Sequence, residues 1–148
     1  MAVKIKTLEY FIFSIGGYPG GHNQIRISEN LYDIAEYPFD HFNILPAPTL
    51  VLAPILKKEL IGSLNDIQVA NWQRKYSMND VLDGTEWELE IKYNNRKTSK
   101  IVYGSNEYPY VDRKDGYTVK SKILDQKPDF IKLLSVLNKI AKKKNYFY

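Results

Sequence analysis

Between Glu86 and Tyr93 the chain alternates without a break. Trp87, Leu89, Ile91 and Tyr93 fall on one parity, and Glu86, Glu88, Glu90 and Lys92 on the other. Successive side chains of an extended strand point to opposite faces, so this segment specifies a strand with one face in a core and the other in water. A sheet built around it is covered on one side only, which is the antiparallel habit. Asn94-Asn95 follows, two residues that tolerate the positive φ of a tight turn, and Lys100 to Gly104 returns as the paired strand.

The remaining segments supply layers for this hairpin. Lys4 to Ser14 predicts a strand on its β-branched and aromatic content, with Ile5, Thr7, Glu9, Phe11 and Phe13 on one parity. Gly16-Gly17-Tyr18-Pro19-Gly20-Gly21 reads as a wide hairpin loop, because four glycines and a proline break either regular element. Ile25 to Ser28 and Leu31 to Tyr37 continue a meander. Pro38, Pro46 and Pro48 make residues 38–48 an irregular connection within one domain.

Leu52, Leu56, Leu60 and Leu64, widened by Ile55, predict a helix from Thr49 or Ala53 to Ser63, with Pro54 suited to its first turn. Val69, Trp72 and Tyr76 lie at helical spacing and predict a second short helix that ends before Asp83-Gly84. Asp115-Gly116 is a turn signal and suggests a short second hairpin through Tyr110 and Tyr117. Pro128 and Asp129 open a final helix, with Phe130, Leu133, Leu134, Leu137, Ile140 and Ala141 on one face. Lys142 to Lys144 close it against the negative end of its dipole.

The expected architecture is α+β. A single domain spans residues 1–148, with an antiparallel sheet of four or five strands, an N-terminal meander plus a C-terminal hairpin, packed on one face by two or three helices. A chain of 148 residues buries about two-thirds of its unfolded surface, so its core needs neither disulfide nor metal. Cysteine is absent, which excludes thiol catalysis and thiolate metal sites and fits a reducing compartment. No stretch approaches the roughly 20 apolar residues of a membrane helix, and Glu9 interrupts the Leu8 to Ile15 run that a signal peptide would need. The expectation is a soluble cytoplasmic protein with no membrane partner.

Residues 83–109 carry a resemblance. Asp83-Gly84-Thr85-Glu86-Trp87-Glu88-Leu89-Glu90-Ile91-Lys92-Tyr93, followed by Tyr103-Gly104-Ser105-Asn106-Glu107-Tyr108-Pro109, resembles a family of short, uncharacterised bacterial proteins. That family shares an Asp-Gly turn, a Trp-x-Leu-x-Ile strand, a Gly-Ser-Asn-x-Tyr-Pro return and a closing amphipathic helix. The segment with Trp72 and Tyr76 is similar to it as well. The likeness covers roughly residues 50–109 well and the final helix loosely, and it implies a fold but no activity. Residues 110–127 depart from the pattern as an insertion.

No arrangement for chemistry emerges. His22 and His41 lack the neighbouring ligands a metal needs. Gly16 to His22 lacks the Gly-Lys-Ser/Thr of a phosphate loop and leads into a strand rather than a helix. None of the serines sits in a Gly-x-Ser-x-Gly elbow. Glu86, Glu88 and Glu90 are spaced for one solvated strand face rather than for a catalytic cleft. The reading is therefore a protein without catalytic residues, metal or cofactor.

Two binding features remain. Tyr103, Ser105, Asn106, Tyr108, Tyr110, Arg113, Lys114 and Tyr117 form a candidate recognition patch around the Gly104 to Pro109 return. The charge is also divided: residues 1–95 carry 8 basic and 12 acidic side chains, and residues 96–148 carry 13 basic and 5 acidic. Arg96, Lys97, Lys100, Arg113, Lys114, Lys120, Lys122 and Lys142 to Lys144, interleaved with tyrosines, suit phosphate contacts and base stacking. The 12 tyrosines themselves follow the same A/T-rich codon bias as the abundant Lys, Asn and Ile. The leading expectation is a non-enzymatic module that binds another protein, such as an inhibitor, immunity-type or accessory protein. The alternative is a nucleic-acid-associated protein that uses the basic C-terminal third.

Overall fold

A computed structural model describes residues 3–17, 21–37, 47–77, 85–111, 118–121, 128–143 and 146–147. The alternating segment forms strand β6 (Thr85–Tyr93), and its neighbour in the sheet is β1 (Leu8–Gly17). Phe11 faces Ile91, Phe13 faces Leu89 and Ile15 faces Trp87 across that antiparallel pair, so one face is apolar along its length. On the far side of β1 lie β2 (Gly21–Ser28), β3 (Leu31–Tyr37) and β4 (Leu50–Val51). Beyond β6 come β7 (Lys100–Ser105) and then β5 (Lys75–Ser77), which pairs with β7 in parallel. Every other pairing is antiparallel.

The class is α+β, but the sheet has seven strands rather than four or five, and β8 (Tyr108–Val111) and β9 (Thr118–Ser121) form a separate two-stranded ribbon. The short β4 and β5 are too brief to show a period in sequence. Residues 110–127 thus contribute part of a hairpin, as expected, although Tyr117 lies outside the described residues. Most of the irregular connection after Tyr37, residues 38–46, lies outside them too.

Two helices are described, α1 (Pro54–Asp66) and α2 (Pro128–Ala141). Helix α1 starts with proline in its first turn, where the missing N–H costs nothing. Leu60, Leu64, Leu133, Leu137 and Ile140 from both helices join the inward residues of β1, β2, β6 and β7 in one buried core. Phe130 is the hub, with ring centroids 4.9 Å from Trp87, 4.9 Å from Tyr108 and 5.9 Å from Phe13. At the other end of α2, Phe147 packs 6.0 Å from Phe13, and its backbone exchanges two hydrogen bonds with the Asn138 side chain.

The expected helix through Trp72 and Tyr76 is not present. Gln68 adopts a left-handed conformation (φ 55°), a 3₁₀ turn follows at Val69–Asn71, and the chain then extends into β5. Trp72 and Tyr76 are both buried and edge-on to one another, and the Trp72 indole donates to the Ile67 carbonyl. Their four-residue spacing reflects two side chains turned into one core from a turn and a strand, not a helical face.

The glycine run also differs from expectation. Gly17 pairs with Gly21 and Gly16 with His22, so β1 and β2 take in three of the four glycines read as loop, and residues 18–20 lie outside the described residues. Glycine at position 16 has a steric cause. A Cβ there would lie 2.0 Å from the Gly21 carbonyl and 2.6 Å from the His22 ring.

At its other end β1 begins at Leu8 rather than Lys4. A bulge between Leu8 and Tyr10 changes the parity, and Leu8 turns inward with Phe11 and Phe13. The preceding residues are held by side chains that replace strand partners. Asn65 accepts from the Ile5 N–H at 2.7 Å and donates to its carbonyl at 2.9 Å. Asn94, left-handed at φ 53°, accepts from the Lys6 and Thr7 N–H groups and donates to the Lys4 carbonyl. Substitution Asn94→Ala removes three hydrogen bonds and places a Cβ-bearing residue without a compensating amide in the left-handed region. The expected loss is about 2 kcal/mol of stability. Hydrogen exchange at Lys6 and Thr7 should accelerate selectively, and unchanged protection there would refute the assignment.

Candidate binding surface

The structure divides the patch read at residues 103–117. Tyr108, proposed as a surface residue, is buried under Phe130, and that burial pushes its hydroxyl pKa up. Asn106 is left-handed at φ 57°, and both its backbone N–H and its side-chain oxygen bond the backbone of Thr85, so it closes the β6–β7 ladder. The next carbonyl, that of Glu107, accepts from the Trp87 indole. Ser105 is half-buried opposite Glu86. Tyr110 lies in β8 opposite Val119. Arg113, Lys114 and Tyr117 lie outside the described residues. Of this set, Tyr103 stands exposed, on the sheet face opposite the helices.

That face has a definite composition. The registers place Arg26, Ile12, Glu90 and Ile101 in one row across β2, β1, β6 and β7, and Gln24, Ser14, Glu88 and Tyr103 in the next. Asp33 extends the first row and forms an ion pair with Arg26 at 3.9 Å. Tyr10 neighbours Lys92 in the row before, and His22 and Glu86 flank Gly16 in the row after. The Tyr103 hydroxyl lies 3.4 Å from the Glu86 carboxylate, and burial, then that carboxylate, raise its pKa. Burial over Gly16 lowers the His22 pKa, with Glu86 and Glu88 pulling in the opposite direction. Three glutamates thus alternate with apolar and aromatic side chains on a face that no described helix covers.

The basic C-terminal third does not form one surface among the described residues. Lys132 pairs with Asp66 at 2.6 Å and Lys139 with Glu59 at 2.9 Å, so both tie α2 to α1. Lys143 lies over the Tyr146 ring, and Tyr146 bonds Asn23 of β2 and Ala35 of β3. Arg96 and Lys97 belong to the β6–β7 connection and Lys100 opens β7, separated from β2 by β1 and β6. There they meet Arg74, a residue the sequence reading did not single out. Arg74 arrives because the parallel pairing of β5 carries it alongside β7, where its carbonyl accepts from the Tyr103 N–H.

Arg74, Arg96 and Lys100 line an open pocket of about 460 Å³ with Tyr93, Thr98 and Ser99. Lys100 is directed inward from β7, and its ammonium donates to the Ala70 and Trp72 carbonyls at 3.0 and 2.6 Å. Arg96 lies against the Tyr93 ring, 5.1 Å from its centroid, and also hydrogen-bonds its hydroxyl. Among the described residues none of these three cations has a carboxylate within ion-pair distance. Burial, followed by the charges of Arg96 and Arg74, lowers the Lys100 pKa.

No group of three potential metal-binding side chains occurs among the described residues, and no described helix is long and apolar enough to cross a membrane. Comparison with protein-family models, with curated proteins and with solved structures gives no match for this chain.

Proposed function

We propose that the protein is a non-enzymatic protein-interaction module, an inhibitor, immunity-type or accessory protein, whose partner lies across the open sheet face. The observation that carries this reading is the face itself, where Tyr10, Ile12, Ile101 and Tyr103 surround Glu86, Glu88 and Glu90 with no described element packed on them. Tyrosine on a rigid strand adds contact area at small entropic cost, and such residues dominate interface energetics. Asp33 and the three glutamates outnumber Arg26 and Lys92, so the complementary surface is a protein patch with basic groups around an apolar centre. Action in the cytoplasm belongs to the same reading. The likeness to the short bacterial family adds no activity to it.

The nucleic-acid alternative draws less support, because Lys132 and Lys139 are engaged in ion pairs with α1, whereas Arg96, Lys97 and Lys100 cluster where β6 passes into β7. The test uses two exposed positions, Tyr103 and Glu88, whose substitution leaves the core intact. A partner cross-linked and captured by the natural chain from lysate of its source organism should bind Tyr103→Ala and Glu88→Lys at least about tenfold more weakly. Equal affinity for both variants would refute this surface. Sedimentation velocity separates the remaining case, since self-association abolished by both variants would replace the partner with a second copy.

A further inference from the structure

We propose that the pocket between the 3₁₀ turn and the β6–β7 connection binds a dianionic phosphate group, free or at the end of a small molecule. The proposal does not rest on the reading of the open sheet face, which the pocket borders at Ile101. Three cations converge on the pocket, and among the described residues its lining contains no carboxylate, although the Ser99 hydroxyl donates to the Glu90 carboxylate at 3.4 Å. A solitary Lys100 bonded to two carbonyls would be explained as a clasp between β7 and the 3₁₀ turn. Arg74 and Arg96 have no part in that clasp, and bringing two further cations to its side works against folding unless an anion offsets them.

The chemistry fits phosphate better than a lone carboxylate. Two arginine forks offer paired N–H donors at fixed spacing, Lys100 offers a point charge with one N–H left after its two carbonyl bonds, and Thr98 adds a hydroxyl donor, while the Ser99 hydroxyl is directed to Glu90. The pocket is also wider than a single oxyanion, and Tyr93 and Ile101 give it an apolar wall for an attached organic group. A polymer is the poorer fit. Of the described lysines toward the C-terminus, Lys132 and Lys139 are paired with carboxylates and Lys143 lies over the Tyr146 ring, so these do not extend the pocket into a basic track along a nucleic-acid backbone.

The experiment is calorimetric titration of the full chain with inorganic phosphate, then with an aliphatic phosphate monoester, against sodium chloride at matched ionic strength. A single-stranded oligonucleotide lacking terminal phosphates provides the comparison. The expected result is one site that prefers phosphate or the monoester, weakened about tenfold in each of Arg74→Gln and Arg96→Gln. Both arginines are exposed, so these variants retain the fold, which their melting curves check. Heat from chloride equal to that from phosphate, tighter binding of the oligonucleotide than of the monoester, or binding unchanged in both variants would each overturn the proposal.

Discussion

Replacement of Phe130 by alanine is expected to cost about 4 kcal/mol, the upper part of the range for truncating a buried aromatic ring. Phe130 is 1 % exposed and touches Phe13 of β1, Trp72 after the 3₁₀ turn, Trp87 of β6 and Tyr108 of β8. Its neighbours come from four separate segments, each fixed by its own hydrogen bonds, so they cannot collapse into the space left behind. For a chain of this length the thermal midpoint should fall by roughly 10 °C. Near-ultraviolet circular dichroism should change as well, because both tryptophans lose a ring partner. A loss below about 1 kcal/mol by denaturant titration would show that α2 does not seal the core in this way.

Glycine provides the second large effect, with its own internal contrast. Gly104 lies opposite Trp87 in the β6–β7 ladder, and a Cβ there would sit 2.0 Å from two atoms of the indole ring. Trp87 is 1 % exposed, carries Phe130, Trp72 and Tyr76 against it, and donates its N–H to the Glu107 carbonyl. It has no room to withdraw, so Gly104→Ala should cost about 3 kcal/mol. Gly62 lies in α1, and an added Cβ there meets nothing within 4 Å. Gly62→Ala should therefore gain about 1 kcal/mol from helix propensity alone. Paired urea melts of the two variants should move in opposite directions, and movement in the same direction would remove the packing argument.

The parts of the fold that were legible in the sequence are those where one local rule operates by itself. Strand β6 follows from alternation, α2 from its apolar stripe and opening proline, and the Asn94-Asn95 turn from two residues that tolerate positive φ, found at 53° and 55°. Misreadings arose where tertiary contacts override a local rule. Trp72 and Tyr76 have helical spacing, but their rings fill the core from a turn and an edge strand. Gly16 and Gly17 read as loop, yet both are strand residues, and the missing Cβ of Gly16 admits the His22 ring. Tyr108 looked like a surface tyrosine because an aromatic before proline carries no sign of its own burial. The cationic pocket was half visible: Arg96, Lys97 and Lys100 are close in sequence, but Arg74 joins them only through a parallel pairing that no periodicity announces.

The adjacency of β1 and β6 bears on how the chain reaches this state. Residues 8–17 and 85–93 form the longest described ladder, so the middle of the sheet is a seam between distant stretches of chain. The meander from β1 to β3 closes locally, but by itself it exposes Phe11, Phe13, Ile25 and Ile27 with neither β6 beside them nor Phe130 above. Closing a loop of that length costs entropy before the contacts that reward it exist, which places such topologies toward the slow end of single-domain folding. During synthesis the same arithmetic leaves the N-terminal half as an unfinished apolar ribbon until α2 has emerged, a period in which a chaperone, rather than the rest of the chain, is the surface available to cover it.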